Sequence, residues 1–108
     1  MSAALGEFEQ LVLLAILQLD AGAHAARVRE RIEEVAHRRV TRGALYATLD
    51  RLTSKGFTDW EVEESTPERG GIPRRRFRVT NDGLAALRRS YGALRTLAHG
   101  LEDVLGGT

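Results

Sequence analysis

Apolar residues recur every three or four positions through most of this sequence and alternate over only two short segments. In residues 5–19 the helical spacing is set by Leu5, Phe8, Leu11, Val12, Ala15, Ile16 and Leu19. Asp20–Gly22 interrupts the pattern, and a second helix is predicted over residues 24–36. Its inner face carries Ala25, Val28, Ile32 and Val35. A chain of 108 residues organised in this way fits one domain.

A third helix is predicted over residues 41–56, "TRGALYATLDRLTSKG", with clear signals at both ends. Thr41 is a good N-cap, and Gly56 suits the position after the helix. The core face is formed by Leu45, Leu49 and Leu52. The opposite face carries Gly43, Ala47, Asp50 and Ser54, bordered by Tyr46 and Arg51. Small residues let a helix approach the base edges of a major groove, whereas the alternative is a plain surface helix.

Two short segments, residues 57–64 and 74–80, are predicted as the strands of a hairpin. Between them lie the turn residues Pro67, Gly70, Gly71 and Pro73. Arginines cluster beside this turn, at Arg69, Arg74, Arg75, Arg76 and Arg78. We expect them in the flank of the loop, where they reach a DNA backbone or minor groove. The alternative is a solvated hairpin in which the arginines pair with the acidic residues of the first strand.

A second basic group lies at the start of the third helix and consists of Arg38, Arg39 and Arg42. Binding of DNA through several arginines releases counter-ions, so the affinity is expected to depend steeply on salt. On the second helix, the Arg29–Glu33 spacing places a pair of opposite charges on the outer face, and the Arg27–Arg31 spacing places a pair of like charges there.

Thr80 is predicted to cap a last helix, with Asp82 near its positive end. The apolar steps then alternate three and four, as in the a/d seam of a coiled coil, through Leu84, Leu87, Tyr91, Leu94, Ala98, Leu101 and Leu105. A core of this size does not easily cover so long a helix, so we expect the seam to form a dimer. The alternative is a helix that folds back on its own domain.

The order helix, helix, helix, strand, basic loop, strand, long helix is that of a winged helix-turn-helix with an appended helix. We therefore predict an α+β, mainly α, fold. Residues 1–80 form the winged helix-turn-helix DNA-binding domain, and residues 81–108 form a C-terminal dimerisation helix in the same compact unit.

Composition excludes several other classes of protein. The absence of cysteine excludes disulfides and thiolate metal sites and fits a reducing compartment. No apolar run approaches the roughly 18 residues of a membrane span, and the first residues lack the basic region of a signal peptide. We therefore expect a cytoplasmic protein with no membrane partner. The three histidines, His24, His37 and His99, are not at metal-ligand spacing, and no catalytic motif is present. No metal, cofactor or enzymatic activity is predicted.

Three segments resemble the PadR family of transcriptional regulators, in the family's order and at its spacing. They are "LGEFEQLVLLAIL", "TRGALYATLDRLTSKGF" and "RRRFRVTNDGLAAL". The resemblance is to the compact branch with a single C-terminal helix. It implies a homodimeric repressor that binds an inverted-repeat operator and often releases it on binding a small molecule. Two departures are the start of the second helix, "AGAHAARV", where the family usually has aromatics and a glycine, and Ala47, where it usually has proline.

The predicted function is that of a dimeric, sequence-specific DNA-binding regulator, a repressor released by a small-molecule effector. The predicted partners are an inverted-repeat operator in double-stranded DNA, a second copy of the chain and that effector. The predicted DNA-binding residues are Arg38, Arg39, Thr41, Arg42, Gly43, Tyr46, Arg51, Arg69, Gly70, Gly71, Arg74, Arg75 and Arg76. The alternatives are a winged-helix module that binds an acidic protein and a ligand sensor whose DNA contact is secondary.

Overall fold

The computed structural model describes residues 5–64, 70 and 73–106. Its elements are α1 (Glu7–Leu19), α2 (Ala25–Ala36), α3 (Arg42–Ser54), β1 (Thr58–Glu63), β2 (Arg74–Val79), α4 (Asn81–Ala98) and α5 (Glu102–Leu105). A single 3-10 turn, Asp20–Gly22, joins α1 to α2. The predicted fold is confirmed, because three helices precede a two-stranded antiparallel hairpin and a C-terminal helix. None of the helices in the described residues is both long enough and apolar enough to cross a membrane.

Helix α1 lies at the centre of the molecule and contacts α2, α3, α4 and β2. Val12 and Leu13 are completely buried, and Ile16 is nearly so. The spacing of apolar residues did not identify Leu13 as a core residue. Such spacing marks only one face of a helix, whereas α1 is covered on several sides. The opposite error occurs on α2, where Val35 was predicted to face the core but is exposed.

The ends of α3 are fixed by the residues that the sequence indicated. Thr41 Oγ1 accepts a hydrogen bond from the Ala44 backbone N–H at 3.1 Å. Gly56 follows the helix with a φ of 78°, a left-handed conformation that favours glycine. The three leucines of the predicted core face are buried, at Leu45, Leu49 and Leu52. Helix α3 therefore turns its small-residue face away from the core.

The turn between α2 and α3 is held by a carboxylate. Glu33 Oε2 accepts a hydrogen bond from the Val40 backbone N–H at 2.8 Å, and the Val40 side chain is buried. Helix α2 ends at His37, which has a left-handed φ of 52°. Arg29 and Glu33 have the spacing of an opposite-charge pair, but they do not form an ion pair, because Glu33 binds this backbone group across the turn instead.

The hairpin is anchored to the helices through its second strand. Phe77 is buried, and its backbone N–H donates to the Ala23 carbonyl at 2.9 Å. His24, the residue before α2, pairs with Arg76 as an isolated antiparallel bridge. The hairpin, which we call the wing, therefore has a fixed position beside the first turn of α2.

Helix α4 begins in the core and then leaves it. Thr80 Oγ1 accepts a hydrogen bond from the Gly83 backbone N–H at 3.1 Å, as the predicted cap requires. A Cβ at Gly83 would overlap the backbone carbonyl of Phe57, so glycine permits α4 to start against the chain before β1. Ala86 and Leu87 are buried, whereas Tyr91, Leu94 and Leu97 are exposed.

The predicted continuous seam from Leu84 to Leu105 is wrong, because the helix breaks near its end. Helix α4 ends at Ala98, Gly100 adopts a left-handed φ of 85°, and the short α5 follows from Glu102. Glycine is a poor helix former and adopts this conformation without steric cost. Of the predicted dimerisation residues, Leu87 is buried and Leu84 and Ala98 are half-buried. The remaining four predicted dimerisation residues are exposed: Tyr91, Leu94, Leu101 and Leu105.

Candidate nucleic-acid interface

The outer face of α3 is open to solvent and carries few long side chains. Arg42, Gly43 and Ala47 are exposed, and Tyr46 is 38% exposed. In the described part of the chain, no ion pair or side-chain hydrogen bond involves Arg42. Gly43 and Ala47 leave the helix backbone accessible on this face, a property that favours close approach to a major groove.

A groove of about 670 Å³, which we call the wing groove, runs between the start of α2, Tyr46 and the wing. It is lined by His24, Ala25, Ala26, Arg27, Tyr46, Val62, Pro73, Arg74, Arg75 and Phe77. The structure thus brings Tyr46 of α3 together with two of the predicted wing arginines. Basic side chains and a phenol hydroxyl in one groove suit a phosphate backbone.

A smaller groove of about 300 Å³, which we call the helix groove, lies between α2 and α3. It is lined by Ala25, Ala26, Arg29, Arg42, Leu45 and Tyr46. Tyr46 lines both grooves, so Arg42 and the wing arginines lie on either side of it. Arg29 is not among the DNA-binding residues predicted from the sequence, because its spacing from Glu33 indicates opposite charges on the outer face of α2.

Three arginines of the wing are paired rather than free. Asp59, Glu61 and Glu63 of β1 lie directly opposite Arg78, Arg76 and Arg74 of β2. Each opposite pair forms an ion pair, at 3.0 Å for Arg78–Asp59 and 3.2 Å for Arg74–Glu63, and Arg76 contacts Glu61. The expectation that these arginines lie in the flank of the loop is wrong, because all three belong to strand β2. Exposed ion pairs of this kind contribute roughly 0–1 kcal/mol, so they can exchange for other partners.

Arg75 lies on the other face of the wing. Successive side chains of a strand point to opposite faces, so Arg75 is separated from the three ion pairs. Its guanidinium lies 4.2 Å from the centre of the Trp60 ring, and Trp60 is 39% exposed. Stacking on an aromatic ring holds the guanidinium in place without neutralising its charge.

Arg38 and Arg51 are held by α1. Arg38 contacts Glu7 at 3.2 Å and lies over the Phe8 ring, while Arg51 lies 3.7 Å from Glu9 and donates to Thr48. Neither residue lines the two grooves. Arg39 is exposed beside Thr41, and no ion pair to it occurs in residues 5–64, 70 and 73–106. Two further predicted residues, Arg69 and Gly71, lie outside the described residues, whereas Gly70 is exposed with a left-handed φ of 67°.

One buried histidine links α2 to the wing, and sequence reasoning missed this role. His24 Nε2 donates a hydrogen bond to Glu63 Oε2 at 3.1 Å, and Glu63 Oε1 accepts from Arg74 at 3.2 Å. The hydrogen bond from His24, helped by Arg74, lowers the pKa of the Glu63 carboxyl. The contact spans 39 residues of sequence, so no local pattern indicated it. Among the described residues, no group of three histidines or carboxylates could hold a metal ion.

Comparison with known families identifies the chain. The sequence profile of the PadR-like family of transcriptional regulators matches residues 13–89, which include α2, α3 and both strands of the wing. The chain belongs to the PadR-like family. It is a DNA-binding transcriptional regulator, and the family is not one of enzymes. No significant match was found among curated proteins.

Solved structures of the family share the fold over almost the whole chain. A PadR-like transcription factor from Bacteroides fragilis is 26% identical, with a TM-score of 0.69 over 90% of this chain and 88% of that one. A PadR family regulator from Eggerthella lenta is also 26% identical, with a TM-score of 0.66 over 92% and 86%. A PadR-like regulator from Bacillus cereus is 18% identical but has a TM-score of 0.73 over 94% and 93%, so this likeness concerns the fold.

Proposed function

We propose that this PadR-like protein is a cytoplasmic homodimer that recognises an inverted-repeat operator, represses transcription there and releases the operator on binding a small molecule. In this proposal, residues 1–80 bind the DNA and residues 81–108 form the dimer contact. The repressor role and the release by an effector are supported by the resemblance to the family alone.

The observation that carries the DNA-binding part is the position of Tyr46 between the two grooves. Arg42 lies on one side of it and Arg75 on the other, and neither guanidinium is engaged in an ion pair in the described residues. We assign α3 to a major groove and Arg75 to the adjoining backbone or minor groove. Arg74 and Arg76 reach phosphates only by exchanging their carboxylate partners, so they are secondary contacts in this proposal.

The remaining predicted DNA contacts have smaller roles in this proposal. Thr41 and Gly43 begin α3, where they permit close approach of the backbone to a phosphate. Arg38, Arg39 and Arg51 flank α3 and add positive potential around it. Gly70, with Arg69 and Gly71 beside it in sequence, belongs to the tip of the wing.

The dimer is supported by apolar residues that the protomer leaves uncovered. Only the beginning of α4 is buried, so most of a helix about 27 Å long extends from the core. Leu97 is 77% exposed and Val104 is 80% exposed, and Tyr91, Leu94, Leu101 and Leu105 are exposed as well. An apolar surface of this kind is typical of a protein–protein contact, and a symmetric dimer buries the same residues on both copies.

The experiment that tests the DNA-binding part compares three single variants by fluorescence anisotropy with labelled duplex DNA. We expect Arg42→Ala and Arg75→Ala each to weaken binding by roughly 10- to 150-fold, since a charge-assisted contact to phosphate contributes about 1.5–3 kcal/mol. Arg31→Ala is the matched control, because Arg31 lies on α2 but binds Gln18 and Glu34 away from both grooves. Unchanged affinity in both Arg42→Ala and Arg75→Ala would contradict this interface.

A further inference from the structure

Helix α2 carries three arginines at intervals of two residues, and two of them have partners on the same helix. Arg27 pairs with Glu30 at 2.9 Å, and Arg31 pairs with Glu34 at 3.3 Å while donating to Gln18 at 2.8 Å. Arg29 is half-buried, and within the described residues it has neither an ion pair nor a side-chain hydrogen bond. Among the residues that the structure describes, it is therefore a cation without a counter-charge on a helix where its neighbours have one.

The carboxylate that would neutralise Arg29 is engaged elsewhere. Glu33 lies four residues further on and has the right spacing for an ion pair on a helix. It instead accepts the Val40 backbone N–H at 2.8 Å and so closes the turn between α2 and α3. Because Glu33 closes the helix-turn-helix in this way, it does not neutralise Arg29, and no other carboxylate in the described part of the chain does so.

That partner has to enter the helix groove, which Arg29 lines together with Arg42 and Tyr46. Neither arginine has a carboxylate partner among the residues that the structure describes, and no acidic residue lines the groove. Ala25 and Ala26 form the adjacent wall, so the side chains that α2's first turn contributes to the groove lining are small. Two guanidinium groups and a phenol hydroxyl provide several N–H and O–H donors, which match the oxygens of a phosphate.

We infer that the helix groove binds a phosphate group of the DNA backbone through Arg29 and Arg42, with the Tyr46 hydroxyl as a further donor. The inference rests on the proposed function and adds Arg29 to the interface. A phosphate contact is independent of base sequence, so Arg29 sets the register of α3 on the duplex and contributes equally to all sequences. Its loss lowers affinity without changing which operator is preferred.

The test is the salt dependence of binding to a labelled duplex of arbitrary sequence, long enough for both copies of α3. Each phosphate that the protein neutralises steepens the plot of log association constant against log salt by about 0.9. Arg29→Gln should therefore make the slope shallower by about 0.9 for each phosphate that the variant no longer neutralises. Arg29→Lys keeps the charge and should retain the wild-type slope. Arg31→Gln, whose side chain faces away from the groove, should retain it too.

The outcomes separate the inference from the function on which it rests. If the wild-type protein binds and Arg29→Gln has the wild-type slope, the phosphate contact is overturned and the DNA-binding function stands. A lower affinity at unchanged slope would also overturn it, because Arg29 would then act on the fold. If the wild-type protein binds no duplex at all, the proposed function fails and the inference fails with it.

Discussion

Glu9 is a single carboxylate that joins the start of α1 to the end of α3. It is buried, and it accepts hydrogen bonds from the Gly6 backbone N–H at 2.9 Å and from Lys55 Nζ at 2.8 Å. Burial raises the pKa of the Glu9 carboxyl, but the contacts with Lys55, Gly6 and Arg51 together lower it below its ordinary value. The ionised carboxylate therefore helps to fix α3, and with it the proposed DNA-binding face, against α1.

We expect Glu9→Gln to lower the free energy of unfolding at neutral pH by about 1–3 kcal/mol, because Lys55 loses a charged acceptor. A carboxyl whose pKa is lowered by folding stabilises the protein above its unfolded pKa. That contribution is lost as the pH falls through the folded pKa. The wild-type protein should therefore lose more stability than the variant between neutral pH and about pH 3, as measured by urea denaturation.

Glu7→Gln is the matched control for this experiment. Glu7 lies on the same helix but is exposed, and its contact with Arg38 at 3.2 Å is also exposed. We expect a change of no more than about 0.5 kcal/mol in this variant. Equal acid sensitivity in wild type and Glu9→Gln would show that the carboxylate of Glu9 does not have this role.

At the scale of elements, the helix ends follow from local chemistry, and the sequence predicts them for that reason. Thr41 and Thr80 each accept the backbone N–H three residues further on, and Gly56 takes the left-handed conformation that ends α3. Each of these interactions joins residues close in sequence, so residue type and position are sufficient to identify them. The wing strands were predicted equally well, because alternation of side chains is also a local property.

Contacts between elements could not be predicted in the same way. Alternation indicates which wing residues share a face, but it does not fix the register that places Arg74 opposite Glu63. The helical spacing of Arg29 and Glu33 does not reveal that Glu33 accepts the Val40 N–H, because that group lies across a turn. The apolar period of the last helix likewise contains no information about the break at Gly100.

The exposed part of α4 and α5 gives a prediction about assembly. We expect Leu94→Glu combined with Leu101→Glu to convert a dimer into a monomer, because carboxylates would have to be buried in an apolar contact. Light scattering coupled to size-exclusion chromatography measures the mass directly. Thr96→Glu is the control, since Thr96 is exposed on a different side of α4 from Leu94 and should leave the dimer intact.

A dimer mass that survives in the double variant would contradict the assignment of α4 and α5 to the dimer contact. Circular dichroism distinguishes this outcome from unfolding, because a folded monomer keeps its helical signal. The substituted residues are exposed in the protomer, so the core should be unaffected.

At the scale of the whole molecule, the proposed DNA-binding surface and the exposed apolar residues of α4 and α5 belong to different elements of an elongated protomer. Its extents are 52 × 32 × 22 Å, as α4 continues beyond the core. In the proposed dimer, pairing through α4 and α5 would leave both copies of α3 and both wings available to DNA. A two-fold symmetric protein of this kind reads a two-fold symmetric site, with one half-site for each copy of α3.

Selection of genomic DNA fragments by the purified protein is the most direct test of this account. A symmetric dimer with one α3 in each half-site should enrich an inverted repeat whose half-sites are centred about one helical turn apart, roughly 34 Å. Enrichment of an isolated half-site would contradict the symmetric dimer, and the absence of any enriched sequence would contradict sequence-specific recognition itself.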